Sequence, residues 1–163
     1  MNNKNFNIKK IKILLTDVDG VLTDGGMYYT SEGDHMKRFH ARDGMGVTLL
    51  RKKGIHTIIV TKEKTTIVRK WAKKMKIEKI CDGVQNKEEI LEEICKKYDV
   101  SANEVGYIGD DVNDVGLLKK VGFSASPKDG TMQVQKIVNY VCIKKGGEGV
   151  FREIADLIIS NIA

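Results

Sequence analysis

The sequence has little of several things. It contains one proline, Pro127, and three cysteines, Cys81, Cys95 and Cys142, scattered without metal-site or disulfide-framework spacing. Aromatic residues make up 6% of the chain, and no apolar run approaches the length needed to span a bilayer. Met1 to Lys10 is rich in Asn and Lys and has no apolar h-region, so no secretory signal is expected. These shortages exclude a disulfide-stapled secreted domain, a zinc module and a membrane-spanning protein. They also leave no aromatic platform on which nucleic-acid bases stack. The cysteines are expected to be small core residues, and the cytoplasm is the expected compartment.

What is present describes one globular domain over residues 1–163, with 1–9 expected to be a flexible N-terminus. Hydrophobic residues are 41% and charged residues 31% of 163, enough for a sizeable core. No repeat, low-complexity tract or linker divides the chain. The net charge of +6 comes largely from lysines interleaved with core positions, as in Lys64 to Lys76. That pattern reads as a solvated surface that attracts a small anion, with no nucleic-acid or membrane partner expected.

The chain is organised around Ile11 to Gly26. Ile11, Ile13, Leu14 and Leu15 predict a strand buried on both faces. Asp17 and Asp19 stand at its carboxyl end on one side of the chain. In an open α/β sheet, that edge is where ligands bind. Carboxylates this close repel, so they call for a cation, a shared proton or abundant water.

Further along, Met27-Tyr28-Tyr29 and Met36-Lys37-Arg38-Phe39 flank the turn candidate Ser31-Glu32-Gly33-Asp34 and predict a hairpin flap. Asp43 is expected to cap a helix from Gly44 to Lys53. Ile55 to Val60 is the next strand, with Thr61 at its end, and a helix carrying Trp71 on its core face follows. After a short strand at Lys79 to Cys81, Asn86 is expected to cap a helix whose first turn holds Lys87. A cation is disfavoured there by the helix dipole, unless it serves an anion site beside the free backbone N–H groups. Val105 to Ile108 is another strand, and Gly109-Asp110-Asp111-Val112-Asn113-Asp114 places three acids just beyond it. Short strands at Phe123 to Ala125 and Ile137 to Cys142 precede Gly146-Gly147-Glu148-Gly149 and a terminal amphipathic helix.

Strands alternating with helices imply a Rossmann-like α/β domain with a mainly parallel sheet. Asp17, Asp19, Thr61, Lys87 and Asp110 then gather at one edge. Hard oxygen ligands suit Mg²⁺, while a hydroxyl and an ammonium suit the oxygens of a phosphoryl group.

Taken together, Asp17-Val18-Asp19-Gly20-Val21-Leu22-Thr23-Asp24, Thr61, Lys87 and Gly109-Asp110-Asp111 resemble the four motifs of the haloacid dehalogenase superfamily of phosphatases. The likeness runs from about Lys10 to the last helix. The hairpin in place of a cap domain and the tail Gly146 to Arg152 resemble its small capless branch. Members of that branch act on the 8-phosphate of 3-deoxy-manno-octulosonate or on 9-phosphates of acylneuraminate and deaminated nonulosonate.

The resemblance implies Asp17 as nucleophile and Asp19 as general acid and base, with Mg²⁺ held by Asp17, the Asp19 carbonyl and Asp110. It implies Thr61 and Lys87 on the phosphoryl oxygens, and Asp111 and Asp114 as supports of Lys87 or of metal-bound water. A homotetramer would cover the site, with hairpins packed together and a neighbour's tail above it. Arg152 would then meet the carboxylate of a small sugar phosphate. Arg42-Asp43-Gly44 resembles the octulosonate enzymes, whereas Glu63-Lys64-Thr65 and Glu148 resemble the nonulosonate ones. The expectation leans to a nine-carbon substrate contacted by Glu63 and Lys74. One departure stands out: the family follows its second-motif Thr with Gly, and here Lys62 occupies that position, which questions the loop's backbone shape.

Two other classes share parts of this pattern. A signalling receiver domain also gathers acids, Thr and Lys at a sheet edge, but its phosphoacceptor follows a middle strand. A non-catalytic oligomerisation module, like those fused to CMP-acylneuraminate synthetases, would not need Asp17, Asp19, Lys87 and Asp110 together.

Overall fold

The computed structural model describes residues 8–162. The flexible N-terminus expected over residues 1–9 lies mostly outside them, but Ile8 to Lys10 form a 3-10 turn and Ile8 is buried.

Strand β1 (Ile13–Thr16) is buried along its whole length, as a run of apolar residues requires. It lies inside a six-stranded sheet with β4 (His56–Val60), β5 (Lys79–Cys81), β6 (Val105–Ile108), β7 (Phe123–Ser126) and β8 (Tyr140–Val141). The order is β5-β4-β1-β6-β7-β8, and every pairing is parallel. The chain builds outward from β1 to β5, then returns to the other side of β1 to add β6. Strand order therefore reverses at β1, which opens a crevice at its carboxyl end.

Alternation along β1 feeds two cores. Leu14 joins Ile59, Ile108 and the apolar faces of α1 (Ala41–Lys52), α2 (Thr66–Met75) and α6 (Val150–Ile162). Ile13 and Leu15 join Ile58, Val60 and Tyr107 beneath α3 (Ile90–Tyr98) and α4 (Val115–Leu118). The short helix α5 (Met132–Gln135), which the sequence reading lacked, adds Val134 to the second core. Trp71 is half-buried and stacks on Phe39, with ring centroids 4.5 Å apart.

Between β1 and α1 the chain forms a separate hairpin, β2 (Tyr28–Thr30) with β3 (Gly33–Met36), and no cap domain. Its second strand begins earlier than expected and ends before Lys37. Two expected caps fail. His40, not Asp43, caps α1, accepting the Arg42 amide at 3.2 Å. Asp43 is instead buried inside the first turn and accepts the Arg152 amide at 2.9 Å, serving the distant N-terminus of α6. Asn86 makes no cap bond; its amide reaches Glu89, and a 3-10 turn from Lys87 to Glu89 leads into α3. Among the described residues, no helix is long and apolar enough to cross a membrane.

Candidate active site

Register brings the site together. Thr16 pairs with Ile59 on one side and Ile108 on the other, so β1, β4 and β6 deliver their next residues to the same edge. Asp17, Asp19, Thr61, Asp110 and Asp111 emerge around one cavity of about 270 Å³, which Lys62, Glu63 and Met27 also line.

Asp17 is buried, with one oxygen accepting the Val18 amide at 2.7 Å and the other 2.8 Å from Lys87 Nζ. Lys87 is itself 1% exposed and lies 2.7 Å from Asp114 Oδ1. Burial opposes the charge of Lys87, but the joint pull of Asp17 and Asp114 outweighs it and holds the ammonium above its ordinary range. The cation at the head of α3 is thus explained by two buried anions rather than by the helix dipole.

Asp114 is saturated. Its Oδ1 takes Lys87 and the Tyr107 hydroxyl, and its Oδ2 takes the amides of Asp110 at 2.8 Å and Asp111 at 3.2 Å. Asp114 therefore orients Lys87 and the backbone of the acidic loop after β6. Asp111 does not touch Lys87; it caps its own turn through the Val112 amide.

One oxygen each of Asp17, Asp110 and Asp114 lies within 4.8 Å of the others. Burial first, and the neighbouring acids second, push Asp110 up to about 8. Burial, then the charge of Asp114, raise Asp17 to about 7 against the pull of Lys87. Acids in this position need a proton or a cation to offset them. Asp17 and Asp110, beside the backbone at Asp19, fit a hard divalent ion, because Asp114 has no lone pair to spare. Gly20 permits the approach: it has φ +84°, and a Cβ on it would lie 2.0 Å from Asp110 Oδ2.

Thr61 is buried and lines the cavity, and its Oγ1 accepts the Glu63 amide at 3.4 Å. Among the described residues, the only non-glycine residues with positive φ are Lys76 and Asp99. Lys62 therefore sits in ordinary backbone space, and the loop does not require the family's glycine.

Two residues expected at the substrate do not reach this cavity within the chain. Lys74 lines a separate hollow with Phe39, His40 and Trp71. Arg152 bonds Asp156 at 2.7 Å and lines another with Arg42 and Glu148. The tail glycines instead lie on the loop after β1: the Gly147 amide donates to the Val21 carbonyl at 3.0 Å. Two residues were missed. Tyr107 carries no signal in the sequence beyond its place in a strand, where period two puts it on the same sheet face as Val105. Lys37 was read only as a hairpin residue, yet its ammonium lies 2.8 Å from Asp19.

A family model described as haloacid dehalogenase-like hydrolase matches residues 60–154. The 3-deoxy-D-manno-octulosonate 8-phosphate phosphatase KdsC of Haemophilus influenzae is 34% identical over 152 residues, covering 93% of this chain and 84% of that protein. The chain belongs to the haloacid dehalogenase-like hydrolases. The Escherichia coli K12 phosphatase of the same name is 32% identical over 151 residues, 93% of this chain and 80% of that protein. Among solved structures, the cobalt-bound Haemophilus influenzae octulosonate 8-phosphate phosphatase superposes with a TM-score of 0.93 at 34% identity, over 95% of this chain and 91% of that one. The Moraxella catarrhalis phosphatase, solved with magnesium ion, phosphate ion and a KDO molecule, gives 0.91 at 35% identity, over 94% and 88%.

Proposed function

We propose that this hydrolase is a Mg²⁺-dependent phosphomonoesterase acting on the phosphate of a 2-keto-3-deoxy sugar acid, with octulosonate 8-phosphate as its substrate. The observation that carries the reading is the convergence of Asp17, Thr61 and Asp110 at one crevice, with the buried Lys87 ammonium 2.8 Å from Asp17. Asp17 attacks phosphorus through the oxygen now paired with Lys87, forming an aspartyl-phosphate. Asp19 protonates the departing alkoxide, then takes a proton from the water that releases phosphate. Thr61 and Lys87 hold the equatorial oxygens, where fixed donors offset the charge of the transition state. A bound Mg²⁺, held by Asp17, the Asp19 carbonyl and Asp110, supplies positive charge that lets a phosphate approach these acids.

The names of the similar phosphatases support the octulosonate, and so does Arg42-Asp43-Gly44. A nine-carbon 9-phosphate is the second reading, favoured by Glu63, which lines the cavity where hydroxyls of a longer sugar would lie. The deciding measurement is kcat/KM for the two phosphates with wild type and Glu63→Ala. An octulosonate preference untouched by Glu63→Ala is the expected result. A nine-carbon preference that Glu63→Ala narrows by about 1–3 kcal/mol, one charged hydrogen bond, would favour the second reading.

The assembly belongs to the same proposal. Met27, Tyr28, Tyr29 and Met36 leave an apolar hairpin surface exposed, and an isolated hairpin is marginal in water. A homotetramer in the cytoplasm buries these residues and brings Lys74 or Arg152 of a neighbour toward the site. Light scattering giving an active particle of 18.3 kDa would overturn it.

A further inference from the structure

The base of the hairpin is fastened to the loop after β1 at three successive residues. Lys37 pairs with Asp19 at 2.8 Å, Arg38 with Asp24 at 2.9 Å, and Phe39 forms a β-bridge with Thr23. The stack of Phe39 on Trp71 anchors this segment to α2. Of the three contacts, the first has a chemical consequence.

The Lys37 side chain is 1% exposed, whereas that of Asp19 is 29% exposed. An aspartate that open samples several rotamers unless something holds it. Apart from Lys37, its only side-chain hydrogen bond among the described residues is from the Thr23 hydroxyl, at 3.4 Å to the same Oδ1. Oδ1 is thus engaged and Oδ2 is left for proton transfer. Lys37 is held in turn by Asp34 of the hairpin, at 3.2 Å. The second oxygen of Asp34, Oδ1, is buried without a hydrogen-bond partner among the described residues. A buried ammonium between two acids, one on the hairpin and one at the site, is a poor device for stability alone. It fits a device that fixes geometry.

We infer that Lys37 is a positioning residue: held by Asp34, it clamps Asp19 Oδ1 so that Oδ2 meets the leaving oxygen of the substrate. The inference rests on the phosphatase reading above. In the first step the Asp17–phosphorus bond forms, the phosphorus–oxygen bond to the sugar breaks, and the Asp19 proton goes to the departing oxygen. Misplacing Asp19 harms that step only where the leaving group needs a proton. A sugar alkoxide needs one, and 4-nitrophenolate does not.

The test compares kcat/KM, which reports steps through leaving-group departure, for octulosonate 8-phosphate and 4-nitrophenyl phosphate. Lys37→Met is expected to lose at least about tenfold on the sugar phosphate, within the range of general-acid contributions, and less than about threefold on the aryl phosphate. In an Asp19→Asn background, Lys37→Met is expected to add no further loss, because the group it positions is gone. Asp34→Asn, at a hairpin position, is expected to show the same selectivity to a smaller degree, and it carries the test if Lys37→Met does not fold. Equal losses on both substrates, no loss on either, or full additivity with Asp19→Asn would overturn the inference while leaving the phosphatase reading intact. A wild-type protein that hydrolyses neither compound overturns the reading, and the inference with it.

Discussion

Asp114 holds the Lys87 ammonium at 2.7 Å with one oxygen while its other oxygen is bound by the amides of Asp110 and Asp111. A single carboxylate therefore ties the lysine after β5 to the acidic loop after β6. Lys87 in turn reaches Asp17, just after β1, so one buried cation joins the segments that follow three strands.

Removing that cation should disturb both stability and chemistry. Lys87→Met leaves Asp17 and Asp114 buried without a counter-charge, and breaking such a pair costs about 3–5 kcal/mol. Urea unfolding near pH 8 in chelator is expected to show this loss, with turnover down by about 10²-fold or more from the missing oxyanion partner. A variant as stable as wild type would mean that the acids carry protons in place of the pair.

Asp17→Asn should fold normally and lose turnover by about 10³-fold or more, as for a covalent nucleophile acting within a unit. An amide cannot form the acyl-phosphate. Retention of a tenth of wild-type kcat by the purified variant would remove Asp17 from that role.

Magnesium should raise the melting temperature, because it binds the folded acids and not the unfolded chain. Chelation should stop turnover without unfolding the protein, since both cores are built from buried apolar side chains of the sheet and helices. Circular dichroism and a phosphate-release assay on one sample check both halves. Full activity in excess chelator contradicts the metal assignment.

Asp43 should make stability depend on pH. Burial raises its carboxyl to about 7, outweighing the amides of Arg152 and Phe151 that favour the charged form. With the folded value above the ordinary 3.8, the folded state binds the proton more tightly than the unfolded one. The contribution is complete below about pH 4 and is lost as pH rises through 7; three units bound it at ~4 kcal/mol. Asp43→Asn keeps an acceptor for the α6 amides and does not titrate. Its stability relative to wild type should rise between pH 5 and pH 8, measured by urea denaturation. A flat difference would show that the amides win.

Much of the site was legible because its parts are local. Asp17 and Asp19 share a strand end, Asp110 follows another, and Lys87 stood out by breaking a helix rule. Asp43 was misread because Asp in a first turn normally caps its own helix, and only packing of α6 against α1 offered it a different set of amides. Tyr107 looked like any aromatic in a strand. Lys37 looked like any surface lysine, as nothing in Met36-Lys37-Arg38 says that the ammonium turns inward.

Period-two and helical patterning determined the α/β class, the buried first strand and the edge where the acids gather, because burial on both faces leaves a mark on every residue of a strand. Motif order determined the family. Only the tertiary structure decided which charges meet: Lys87 with Asp17 and Asp114, Lys37 with Asp19, Asp43 with the head of α6. Those pairs join residues 18 to 109 positions apart. Their partners are chosen by strand register and helix packing, which act over distances that no local pattern in the chain encodes.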